Sequence, residues 1–122
     1  MKRNFITSLK IAVFGLMAAF KEERNFRIQS LIGTIVIILM IALELSSIEK
    51  SIILLTILVV LSLELINSQI EKFLDLIQPE HHPKVKIIKD FSAGAVLISA
   101  LGSIVIGISI FLPHIISLIE NR

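Results

Sequence analysis

From Phe5 the large apolar residues fall at Phe5, Leu9, Val13, Leu16, Met17 and Phe20, with Lys2, Arg3, Thr7, Ser8, Lys10 and Lys21 around them. This stripe approximates the 3.6-residue helical period and predicts an amphipathic helix lying in the membrane interface over residues 4–22. Residues 28–45, IQSLIGTIVIILMIALEL, come close to the ~20 residues that cross a ~30 Å hydrocarbon core. The following SSIEK reads as a short polar turn. A second span covers 51–77, apolar up to Ser62 and emerging from the bilayer around Asp75. QPEHHPKVK contains both prolines of the next connection and reads as a loop. A third span occupies 91–112, and Pro113 is expected to end it, because proline cannot continue the helical hydrogen-bond ladder. The expected fold class is therefore an all-α membrane protein, one domain over 1–122, with an interfacial helix and three membrane helices.

Composition supports that reading. Of the 122 residues, 55% are hydrophobic, and the mean hydropathy is +0.91, too apolar for an ordinary soluble domain. The formal charge of +2 is too small to imply nucleic acid as a partner. Trp, Tyr and Cys are absent, so there is no Trp or Tyr interfacial belt and no thiol that reports on a redox compartment. MKR is basic, but no uninterrupted apolar run and no small-residue cleavage site precede KEERNFR, so the N-terminus is read as retained.

The second span breaks its own pattern. LELINSQIEKFLD places Glu64, Asn67, Glu71 and Asp75 where a lipid-facing helix would carry leucines. At ~100° per residue all four fall within an arc of about 80°, and at ~1.5 Å per residue the stripe descends ~10 Å from Glu64 to Glu71 and ~16 Å to Asp75. An intramembrane acid usually faces a bundle interior or a wet cavity and marks a functional site. Asn67 could instead join helices, and Glu71 and Asp75 could pair with Lys72 or solvent.

Two further polar clusters flank the spans. KEERNFR offers Glu22, Glu23, Asn25 and Arg27, with Glu23 and Arg27 at i,i+4; alone it reads as a solvated helix junction. KIIKDFS sets Lys89 beside Asp90, a pair suited to nucleotide phosphates or simply to starting a helix. Phosphoryl transfer to a lipid hydroxyl needs carboxylates for Mg²⁺, cations for phosphate charge and a base near the bilayer surface. The three clusters on one face match those needs.

In combination and order, EERNFRI, ELINSQIEKFLD, PEHHP and KDFSAGAVL resemble the small bacterial membrane lipid kinases, the diacylglycerol kinase and undecaprenol kinase family. The resemblance covers nearly the whole chain. It implies a homotrimer in the bacterial cell membrane, with sites between subunits at the cytoplasmic face, that transfers the γ-phosphoryl group of MgATP to a lipid alcohol. No GxxxxGK[ST] phosphate loop is present, as in that family. Residue by residue, it implies that Glu64 is the catalytic base and that Glu23 and Glu71 are the Mg²⁺ ligands. Asn67, Asp75, Lys89 and Asp90 match polar positions around the nucleotide and reaction centre, with Arg27 in support. Glu80, His81 and His82 match the loop that closes over the nucleotide; a run of this kind could otherwise be solvated loop or a surface metal site.

The chain departs from the family pattern in three places. Gln69 stands where a small residue is usual, and Gln29 replaces an acid or histidine after FRI. The Arg and Tyr that some members carry in the surface helix are absent near Asn4 and Ile11. The PEHHP segment is more similar to undecaprenol kinases than to diacylglycerol kinases, which makes undecaprenol the preferred substrate and diacylglycerol the alternative. A non-enzymatic cation-binding subunit would need a polar path to the outer side, yet the 91–112 span offers only Ser92, Ser99, Ser103 and Ser109. Gly94, Gly102 and Gly107 with three of those serines make close helix packing possible there.

Lys2, Arg3, Lys10, Lys21, Arg24 and Arg27 precede the first span, and Lys72, Lys84, Lys86 and Lys89 lie between the second and third; the other two junctions hold only Lys50 and Arg122. The positive-inside bias places the N-terminus and the 72–90 segment in the cytoplasm and the C-terminus outside. Because the chain has no cysteine, a single Cys at Glu80 can report this topology. It should react with a membrane-impermeant thiol reagent only after cells are opened; labelling of intact cells would reverse the orientation.

Overall fold

The computed structural model describes residues 2–122. Four helices follow one another: α1 (Phe5–Glu22), α2 (Arg24–Ala42), α3 (Ser47–Ile77) and α4 (Pro83–Glu120). Three of them, α2, α3 and α4, are long and apolar enough to cross a membrane. Helix α3 is the hub, packing against α2 on one side and α4 on the other, while α1 packs on α2.

Helix ends are set by specific residues. Asn4 caps α1, its side-chain oxygen accepting the Thr7 N–H at 2.8 Å. A single extended residue, Glu23, separates α1 from α2. Helix α2 therefore begins four residues earlier than the apolar run at 28 suggests, and Arg24, Asn25 and Arg27 are helical.

The α2–α3 turn closes by a helix-terminating pair of bonds: Leu45 N–H to Met40 O at 3.5 Å and Glu44 N–H to Ile41 O at 3.3 Å. Glu44 takes the left-handed backbone, with φ 51°. Met40, Leu45 and Ile53 are buried together, supplying the apolar contact that accompanies this motif. Within SSIEK only Ser46 lies outside the helix. Ser46 and Glu49 form a reciprocal capping box that starts α3 at Ser47, so the expected 46–50 turn is the helix start instead.

The second connection is shorter than expected. Residues 78–82 alone link α3 to α4, and Lys84–Asp90 are helical because Pro83 occupies the first turn, where its missing N–H is harmless, and His82 caps it. Pro113 does not end the helix: α4 passes through it to Glu120. The lost rung is outweighed by packing on both sides. Ile106, Ile110 and Phe111 pack on the Met40–Leu45–Ile53 cluster before it. Immediately after it, His114 Nε2 lies 2.8 Å from Glu49 Oε2 of α3.

A glutamate in the left-handed region carries strain that glycine would not, on the order of 1–2 kcal/mol. Glu44→Gly is therefore expected to raise the detergent-solubilised Tm by a few degrees. A lower Tm would mean that the Glu44 side chain, rather than the backbone turn, holds the junction.

Candidate functional site

Val60, Glu64 and Ser68 recur at four-residue spacing on the face of α3 turned into the bundle, and all three are buried. Glu64 is only 5% exposed. It lines a cavity of about 330 Å³ whose other walls are Asn25, Ile28 and Gln29 of α2 and Ala93, Val96, Leu97 and Ala100 of α4. Asn25 is its polar neighbour, and the charges of Glu71 and Glu23 act on it. The carboxylate is withdrawn from bulk water yet faces an open space.

Glu23 reaches this neighbourhood because it is the hinge between α1 and α2. Its N–H donates to Ala19 O at 2.8 Å and its carbonyl accepts the Arg27 N–H at 3.1 Å, which fixes the backbone on both sides. The Oε1 atom of Glu23 is buried. Lys72 Nζ stands 2.6 Å from it as an ion-pair partner and 3.1 Å from Glu22 Oε2. The Oδ1 atom of Asn67 is buried without a partner, so that oxygen does not join helices within the chain.

These oxygens test whether a magnesium ion fits. Mg²⁺ takes oxygen ligands, commonly one or two carboxylates plus substrate phosphates and water. The buried Asn67 oxygen, which has no partner, and the buried Glu23 carboxylate, faced by Lys72, are donors of the kind such an ion takes. Among the described residues no group of three or more His, Asp or Glu side chains could hold a metal alone. A site completed by the nucleotide's own phosphates is consistent with that.

The remaining predicted residues are distributed along the adjoining edge. Lys89 Nζ lies 2.5 Å from Asp75 Oδ1 and ties α4 to α3, while Lys86 Nζ lies 2.6 Å from Asp90 Oδ2 along α4. Lys72 thus serves Glu22 and Glu23, and Asp75 pairs across to Lys89. Glu80 and His81 are exposed in the 78–82 connection. His82 uses Nδ1 to accept the Lys84 N–H at 3.2 Å and so caps α4. Arg27 does not pair with Glu23. Its guanidinium donates to Phe20 O at 3.0 Å and Lys21 O at 2.7 Å, satisfying the end of α1, because the first turn of α2 aims it back there.

Glu64, Glu71 and Glu23 are therefore neighbours, and Asn67 stands between Glu64 and Glu71 along α3; Arg27 is occupied elsewhere, and His82 is occupied as a cap. Asn25 and Gln29 line the Glu64 cavity without having been assigned roles there. Their i,i+4 spacing at the head of an apolar helix was the available signal.

A sequence model of the family described as prokaryotic diacylglycerol kinase matches residues 10–111. The chain belongs to the prokaryotic diacylglycerol kinase family. It is a lipid kinase, a phosphotransferase. It is 42% identical to the undecaprenol kinase of Bacillus subtilis strain 168 over 92% of this chain and 91% of that one. It is 37% identical to the diacylglycerol kinase of Synechocystis sp. over 94% of this chain, spanning 66% of that protein's length. The diacylglycerol kinase of Escherichia coli strain K12 is 28% identical over 75% of each.

The Lys72 contacts hold α1 and its hinge against α3. Lys72→Met removes the counter-charge from a buried carboxylate oxygen and is expected to lower the Tm by a few degrees in divalent-free buffer. An unchanged Tm would show that the ion pair does not hold the hinge.

Proposed function

We propose that this chain transfers the γ-phosphoryl group of MgATP to the primary hydroxyl of undecaprenol, in preference to diacylglycerol. The observation that carries the reading is the position of Glu64, buried among apolar helices beside a cavity, with Asn25, Glu71 and Glu23 as its polar surroundings. Such a carboxylate meets a hydroxyl carried by a lipid, while the acids toward the end of α3 meet phosphates arriving from water. The cytoplasmic orientation of that end is part of the proposal, as is assembly into a homotrimer with sites between subunits.

Glu64 takes the proton as the lipid oxygen attacks the γ-phosphorus; the bond to the β,γ-bridging oxygen breaks, and ADP leaves with that electron pair. Asn25 orients the Glu64 carboxylate, and Ala93, Val96, Leu97 and Ala100 keep water from the attacked phosphorus. Glu23 and Glu71 would hold Mg²⁺, which when bound screens phosphate charge. Lys89 supplies a cation to the nucleotide, Asp75 and Asp90 hold Lys89 and Lys86 in place, and Glu80 and His81 cover the nucleotide from the connection that His82 ties to α4. Arg27 supports the site by fastening α1.

Two observations support undecaprenol over diacylglycerol: the PEHHP segment and the near full-length match to a protein named undecaprenol kinase. Diacylglycerol kinases are also among the relatives, and both lipids present a primary hydroxyl.

In mixed micelles offering both lipids, labelled γ-phosphate should appear mainly in undecaprenyl phosphate. A higher kcat/KM for diacylglycerol would reverse the substrate choice. Glu64→Gln should lower kcat by about 100-fold or more with MgATP affinity retained, whereas Glu23→Ala and Glu71→Ala should each weaken Mg²⁺-dependent nucleotide binding. Normal turnover by Glu64→Gln at every pH would remove it from the base role.

A further inference from the structure

A second cavity, of about 430 Å³, lies between α2, α3 and α4. Its size falls among cavities that hold small ligands, commonly about 300–1,000 Å³. Gln29 borders both this cavity and the one containing Glu64. From Gln29 it follows α2 to Leu39 and α4 from Ser103 to Ile115, which at ~1.5 Å per residue is a depth of about 15–18 Å, half the hydrocarbon core. Its walls are almost wholly apolar, and the small residues Ser103 and Gly107 give it width.

We infer that this cleft receives the isoprenoid chain of the substrate, holding the units nearest the hydroxyl while the rest continues into the bilayer. The inference rests on the lipid-kinase reading above and deepens it. The adjacency of the two cavities at Gln29 argues for the substrate's own chain as occupant: an alcohol whose hydroxyl reaches Glu64 from the membrane side leads its chain away past Gln29. A single cleft takes one chain. A polyprenol has one, and diacylglycerol brings two, only one of which the cleft could accept. The chain preference would thus arise from shape rather than from headgroup recognition.

Gly107 gives a direct test, because it lines the cleft and nothing lies within 4 Å of the position its Cβ would take, so a larger side chain starts out into open space. It stands beyond Ser103, farther along α4 from Glu64 and Ala100. Gly107→Phe should therefore exclude a long chain and spare a short one. Its kcat/KM for undecaprenol should fall about tenfold or more, with geraniol and the KM for MgATP within about twofold of wild type. Ile98→Phe, at a position 74% exposed and outside both cavities, should leave both alcohols unaffected. Equal loss on both alcohols, or loss on neither, would overturn the assignment. So would an altered oligomeric state of Gly107→Phe by cross-linking, since the cleft would then seat a second copy. Wild-type protein that phosphorylates diacylglycerol but neither prenol would overturn the substrate reading itself, and the cleft assignment with it.

Discussion

The burial of one carboxylate governs how the helices are arranged. A centrally placed Asp costs about 2.5–3.5 kcal/mol on membrane-insertion scales, so an acid such as Glu64, at 5% exposure, requires walls and polar company. Helix α3 supplies neither alone. It turns Val60, Glu64 and Ser68 inward, α2 brings Asn25 and Gln29, and α4 closes the far side with small and branched apolar residues. The same three walls that shelter the carboxylate define the open space beside it, where the proposed lipid hydroxyl would meet it.

Charge pairs fasten the helices to that frame. Lys72 joins the α1–α2 hinge to α3, Lys89 joins α4 to Asp75, and Arg27 holds the end of α1 through its carbonyls. At the other end of the bundle, Glu49 and His114 join α3 to α4 just beyond Pro113. Phe20 and Phe26 meet edge to face at 6.5 Å and set α1 against α2. The junctions are thus individually specified, although much of each helix is apolar surface suited to lipid.

Much of this was legible in the chain, because apolar run length and the one-sided acid stripe on residues 64–75 are local signals with a direct physical reading. Helix type and order follow from them. Boundaries did not follow, since they depend on capping and tertiary contact. Pro113 looks like a terminator until Phe111 and His114 are seen packed and paired on either side of it. Pro83 looks like loop until it is placed in the first turn of α4. Arg27 looked like a partner for Glu23 because spacing along a helix is visible, but Glu23 lies outside the helix and its cation, Lys72, is 49 residues away in sequence, a contact no spacing rule reaches. Asn25 entered the Glu64 cavity for the same reason: only the packing of α2 on α3 brings it there.

The central claim is that Glu64 accepts the proton of the lipid hydroxyl rather than merely shaping the cavity. It can be tested by varying acceptor acidity, comparing undecaprenol with an analogue fluorinated beside the carbinol carbon in wild type and Glu64→Gln. A base becomes less necessary as the alcohol becomes more acidic. The account predicts that the rate advantage of wild type over Glu64→Gln shrinks with the fluorinated acceptor; an advantage of the same size for both alcohols would contradict it.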